Sequence, residues 1–127
     1  MRSILYVGVG SFMGGICRYL LSTWVYKLLD NPWFPYGTLA VNVVGCLVIG
    51  FLAAIAETRS VFTSDVRLFI FVGIIGGFTT FSSFALETFS LAQKNQSLAA
   101  VINLGLEVFL GLLAVWIGNL LARILGG

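Results

Sequence analysis

The chemistry of this chain concentrates in one run, Gly73-Ile74-Ile75-Gly76-Gly77-Phe78-Thr79-Thr80-Phe81-Ser82-Ser83-Phe84. It sets glycines and hydroxyls inside otherwise apolar sequence. Adjacent Gly76 and Gly77, followed by Thr79, Thr80, Ser82 and Ser83, favour a local unwinding of a helix. An unwound turn frees carbonyls that could hold a cation, and amides or hydroxyls that could face an anion. The alternative is a kinked helix whose Ser and Thr side chains bond back to their own backbone. Phe81 and Phe84 are three apart, so they stand about 60° from each other on a resumed helix and can share a face. Phenylalanine is usually filler, yet its ring edge carries partial positive charge and can favour an anion. These residue types in this order point to conducting or binding something small.

The elements that position this run are membrane spans. Of 127 residues, 59% are hydrophobic and only 9% charged, and the mean hydropathy is +1.04, well outside the range of soluble domains. Four long apolar segments follow one another: about Ile4 to Leu29, Tyr36 to Ala56, Leu68 to Ala92 and Leu98 to Leu125. Each exceeds about 20 residues, enough at roughly 1.5 Å per residue for a hydrocarbon layer of about 30 Å. The expected fold is all-α, a single four-span transmembrane domain over 1–127, with the third helix broken near Gly76 to Ser83. Non-helical backbone survives at membrane depth only where protein buries it or it lines a watery path. Short polar connections separate the spans, with Ser64 or Asp65 and Ser97 as expected N-caps of the helices that follow. The first segment shows no signal-peptide cleavage pattern and is read as retained.

Cytoplasmic loops normally carry the Lys and Arg excess. An even number of spans gathers Arg2, Arg59, Arg67 and Arg123 on one side, against Lys27 and Lys94, with Arg18 nearer that second end. So small a bias permits insertion in both orientations. A four-helix chain of this size encloses little space, so self-association is expected. Small residues recur at helix-packing spacing, Gly10 with Gly14, Ser11 with Gly15 and Gly73 with Gly77, which lets backbones approach closely.

The other polar residues inside the spans each carry two readings. Asn42 is either an ion-contacting amide or interhelical glue. The hydroxyls of Thr38, Thr80 and Ser83 donate either to a passing anion or to a carbonyl. Arg18, costly within a span, either draws anions to a vestibule or pairs with a carboxylate. Glu87 follows Phe84 by three residues and is expected at the edge of the same path, either protonated or bonded to Thr80 or Ser83. For Glu107 a structural hydrogen bond is expected. Cys17 and Cys46 read as small buried hydrophobes rather than a disulfide or metal pair. With no histidine, nucleophile-base pairing or metal cluster, the chain has no enzyme machinery, and nothing in it points to nucleic acid or an organic cofactor. A small cation antiporter would need an acid on the first helix, which here carries Arg18; a non-transporting assembly subunit would leave the Thr-Thr-Phe-Ser-Ser-Phe break unexplained.

Three motifs in order carry a resemblance. Gly76-Gly77-Phe78-Thr79-Thr80-Phe81-Ser82-Ser83-Phe84, with Gly14-Gly15-x-x-Arg18-Tyr19 in the first span and Gly37-Thr38-Leu39-x-Val41-Asn42-x-x-Gly45 in the second, resembles the Fluc (CrcB) family of small fluoride channels over essentially the whole chain. The resemblance implies an antiparallel, dual-topology homodimer in a bacterial inner (plasma) membrane, with two fluoride pores along the subunit interface. It implies that Phe81 and Phe84 are the pore phenylalanines and that the Asn42 amide donates to the ion; the polar residues Thr80, Ser83, Thr38, Arg18 and Glu87 are the candidates for the rest of the path. It implies that the backbone carbonyls of Gly76 and Thr79 hold a structural sodium. The implied function is passive fluoride exit and so fluoride resistance. Many family members are expected to place an aromatic residue near position 103, where this chain has Asn103.

Overall fold

The computed structural model describes residues 1–59 and 62–126, and among them every regular element is helical. The elements are α1 (Arg2–Leu28), α2 (Tyr36–Arg59), α3 (Ser64–Arg67), a π-helical stretch (Leu68–Ile75), α4 (Gly76–Phe78), α5 (Phe81–Gln93) and α6 (Ser97–Gly126). Among the described residues, four helices are long and apolar enough to cross a membrane, the third of them being the interrupted span Ser64–Gln93. The 27 residues of α1 reach about 40 Å at helical rise. Most span ends lie one to four residues beyond the expected apolar limits, because helices continue into polar ends that hydropathy does not count; α2 starts at Tyr36 as expected, and α1 stops one residue short, at Leu28. The turn after α1 holds Asp30 and Asn31 at φ 55° and 52°, and the turn after α5 holds Asn95 at φ 58°. These residue types accept the left-handed region most readily.

The expected caps are displaced. Ser64 is already the first helical residue, and the N-cap is Thr63, whose Oγ1 accepts from the Val66 amide at 3.4 Å. Ser97 likewise opens α6 rather than capping it. A run of cap-competent residues, Thr63-Ser64-Asp65, leaves the choice to the geometry of the incoming chain.

The spans pack as two close pairs. The first is α1 against the first half of the third span, the second α2 against α6. Each pair runs parallel: Gly10 faces Gly73 and Gly14 faces Phe78, while Leu47 faces Gly118 and the Arg59 guanidinium donates to the Gly126 carbonyl at 3.1 Å. Parallel first–third and second–fourth pairs are what single crossings by each span require. Glycine makes both seams. A Cβ on Gly10 would stand 2.8 Å from the Gly73 Cα, and one on Gly14 would stand 2.8 Å from the Phe78 nitrogen and against the Ile74 carbonyl. On the other seam a Cβ on Gly118 would press on the Leu47 carbonyl, and one on Gly50 on that of Val115. Many of the buried side chains are correspondingly small, Ala54, Ala56, Ala100, Ala114 and Ala122 among them, beside larger ones such as Leu39, Ile75 and Phe84. Large apolar side chains such as Phe12, Leu20, Trp116 and Leu112 point outward, as lipid-facing surfaces do when hydrophobicity cannot drive helices together.

The break in the third span is shorter than the expected Gly76 to Ser83 and lies after the glycines. Gly76 is helical at φ −62°, ψ −35°, while Thr79 (φ −78°, ψ 158°) and Thr80 (φ −148°, ψ 107°) are extended. Gly77 serves close approach instead, since a Cβ there would stand 2.7 Å from the Ser11 carbonyl oxygen. The preceding π-helical stretch carries no glycine or proline signal at its start and was not legible in the sequence pattern.

Candidate functional site

Thr80 is the centre of the site, and its backbone explains why the helix breaks there. In a continuous helix its amide would close onto the Gly76 carbonyl. Here it donates to Asn42 Oδ1 at 2.8 Å, while Asn42 Nδ2 donates back to the Thr80 carbonyl at 3.1 Å. The Asn42 carboxamide thus pairs with one extended residue as a neighbouring strand would. The Thr80 hydroxyl then starts the second half-helix: its Oγ1 accepts from the Ser83 amide at 3.2 Å, an N-cap. Both redirected amides leave carbonyls behind. Those of Gly76 and Thr79 lose the helical partners that Thr80 and Ser83 would have supplied.

Two cavities meet at Thr80. One, of about 320 Å³, is lined by Asn42, Thr79, Thr80, Phe81, Phe84 and Glu107 among others. The second, of about 440 Å³, holds Arg18, Thr38, Thr80, Ser83 and Glu87. All the sequence-predicted side chains therefore fall on one or the other, and Thr80 belongs to both. Gly76 lies on neither wall and is exposed on the single chain. The Phe81 and Phe84 rings meet edge to face, centroids 5.5 Å apart at 68°, but their settings differ. Phe81 is 79% exposed and Phe84 only 7%.

The polar contacts bear on each of the paired readings. Thr38 Oγ1 donates to Glu87 Oε1 at 2.7 Å, so Glu87 is bonded to α2 and not, as expected, to Thr80 or Ser83. Those two hydroxyls bond each other, Thr80 Oγ1 donating to Ser83 Oγ at 3.0 Å. That leaves the Ser83 hydroxyl proton free to donate. Arg18 reaches the Thr79 carbonyl, Nη1 to oxygen 3.5 Å, rather than a carboxylate. Glu107 makes the expected hydrogen bond, and its partner is Asn42, whose Nδ2 donates to Oε2 at 3.1 Å. Both Nδ2 protons are therefore in use. Asn103, at the position where many family members are expected to carry an aromatic residue, is fully buried. Its Nδ2 donates to Thr88 Oγ1 at 2.8 Å, and Thr88 Oγ1 donates in turn to the Phe84 carbonyl at 2.8 Å. It braces the half-helix that carries the rings, a role only its polarity inside an apolar span could have signalled.

Comparison with known proteins adds an independent line. Residues 5–119 match the family model described as CrcB-like protein, Camphor Resistance (CrcB). The chain is 48% identical to "Fluoride-specific ion channel FluC 1" of Rhodopseudomonas palustris, over 95% of this chain and 88% of that protein. It is 42% identical to the protein named "Fluoride-specific ion channel FluC" from Pelobacter propionicus, over 98% and 96% of the two chains. The protein of that name from Flavobacterium psychrophilum is 38% identical, over 97% and 98%.

Proposed function

The chain belongs to the CrcB-like family, and from that membership we propose that it is a fluoride-selective channel for passive fluoride exit, conferring fluoride resistance in a bacterial inner membrane. The observation that carries the reading is the convergence of Asn42, Phe81, Phe84, Thr38, Ser83 and Arg18 on two cavities joined at Thr80. Fluoride is small and tightly hydrated, so a path must offset a large dehydration cost with several donors at once. Arg18 attracts the anion into one cavity, where the free Ser83 hydroxyl donates. The positive ring edges of Phe81 and Phe84 receive it in the other.

Phe81 is the cleaner probe of the rings, because it is exposed on the single chain and its replacement disturbs the core only where its ring meets Phe84. In liposomes the parent is expected to pass fluoride far faster than chloride. Phe81→Ile keeps an apolar side chain but removes the quadrupole, and fluoride efflux should fall at least about tenfold, equivalent to about 1.4 kcal/mol on the barrier. Parental efflux in a well-folded Phe81→Ile protein would return the ring to a packing role.

The working form in this reading is an antiparallel homodimer with two pores. The exposed Phe81 and the open cavities on the single chain suit a second copy as the missing wall. The Gly76 and Thr79 carbonyls, freed as described, suit a structural sodium, because neutral oxygens from two chains match a hard monovalent cation. Such an ion would fix the two broken helices against each other. A carbonyl oxygen has two lone pairs, so Thr79 can serve both that ion and Arg18. Dual topology has its own test. Lysines added to the Asp30 to Trp33 turn should bias insertion to one orientation, and transport should vanish unless an oppositely biased copy is co-expressed. Transport by the biased copy alone would refute the antiparallel assembly.

A further inference from the structure

Glu107 is a carboxyl group standing in what is read above as an anion path. It comes from α6 into the cavity that also holds Asn42, Phe81 and Phe84. Its Oε2 accepts from Asn42 Nδ2 at 3.1 Å, while its Oε1 is buried and has no partner among the described residues. The second Nδ2 proton of Asn42 goes to the Thr80 carbonyl. With Glu107 ionised, the cavity therefore holds a full negative charge and no spare donor from Asn42. One proton on Oε1 reverses both conditions. The charge disappears, and a hydroxyl donor takes the place of an unpartnered acceptor.

We propose that Glu107 is a fluoride-contacting group that works in its protonated form, donating its carboxylic hydroxyl to the ion beside Phe81 and Phe84 and closing the path when ionised. The proposal rests on the fluoride-channel reading. The Asn42 bond to Oε2 places the proton on Oε1. No covalent step is involved: the proton is taken from water, held at Oε1 while fluoride passes, and returned. The charged and titratable groups around it are few. The Cys46 thiol of α2 lines the same cavity. From α5, Glu87 faces the neighbouring cavity with its Oε2 also unpartnered. From α1, Arg18 reaches the Thr79 carbonyl. A purely structural acceptor for Asn42 would need no ionisable group, since a glutamine oxygen would serve equally well.

The test is fluoride efflux from proteoliposomes with equal pH inside and out, corrected at each pH by protein-free liposomes for permeation of neutral hydrogen fluoride. Wild-type efflux should rise roughly tenfold between about pH 8 and about pH 5.5, and Glu107→Gln, always a neutral donor, should hold the acid-side rate throughout. In infrared spectra the carboxylic C=O band that grows on acidification should track the wild-type efflux and be diminished in Glu107→Gln. A flat wild-type profile, or a Glu107→Gln profile parallel to it, overturns the proposal. If Glu107→Gln cannot be purified folded, the wild-type protein still decides: efflux that stays constant while the band changes overturns the proposal, and efflux that follows the band supports it. A wild-type chain that passes no fluoride at any pH overturns the channel reading itself, and the role of Glu107 with it.

Discussion

Asn42→Ala is expected to abolish fluoride transport while the four spans remain inserted. The side chain serves three groups at once: the Thr80 amide at 2.8 Å, the Thr80 carbonyl at 3.1 Å and Glu107 Oε2 at 3.1 Å. Leaving a buried polar group without a partner costs about 1–3 kcal/mol, although hydrogen bonds between membrane helices average nearer 0.6 kcal/mol because alternatives exist. The alternative here is specific. Freed from Asn42, the Thr80 amide can turn back to the Gly76 carbonyl and close the helix, which rotates Phe81 and Phe84 away from the cavity and removes the open carbonyls together. We expect efflux to drop at least about a hundredfold, equivalent to about 2.7 kcal/mol on the barrier, with helical content by circular dichroism unchanged or slightly raised. Efflux within about twofold of the parent would show that the Thr80 break stands without Asn42.

The second large effect is expected at the glycine seams. Gly14→Val puts a side chain against the Ile74 carbonyl and the Phe78 nitrogen, and Gly118→Val puts one against the Leu47 carbonyl and the Phe51 nitrogen. Overpacking a core usually costs about 1–3 kcal/mol because side chains give way; here the obstacle is backbone, and the helices themselves must part. Neither variant should elute as a single species after detergent extraction. Gly105→Ala is the control, since nothing lies within 4 Å of a Cβ at that position, and replacing a helical glycine by alanine is worth about 0.5–1 kcal/mol in its favour. A Gly14→Val protein as stable as Gly105→Ala would mean that the first and third spans do not pack as described.

The spans were legible because hydropathy over about 20 residues is a strong signal, and the glycine pairs because close packing in a membrane selects for small residues at that spacing. The break was legible in kind and falls inside the expected range of Gly76 to Ser83, but its exact position was not legible: Gly76 and Gly77 keep helical geometry and the chain opens at Thr79 and Thr80. What decides the position is a hydrogen bond from a residue 38 positions away, and no local pattern encodes that. Glu87 shows the same limit. Its spacing from Phe84 is visible in the sequence, but its partner, Thr38, comes from another helix. Asn103 and Thr88 were missed as a pair because each, taken singly, is an ordinary polar residue in a span.

The Asn42–Thr80 pairing also bears on the order in which the protein is made. In lipid, an extended residue with both peptide groups open has no water to satisfy them, so the third span cannot hold its interrupted form alone. The chain places the answer upstream. Asn42 sits on α2, which is synthesised before Thr80 and leaves the ribosome ahead of it, so the partner can be in the membrane when the third span arrives. The third span can enter as an unbroken apolar helix, with its Gly76 carbonyl and Thr80 amide paired, and exchange that bond for Asn42 only on docking. The conducting shape is then a product of assembly, and a third span stranded away from α2 would settle as a plain helix.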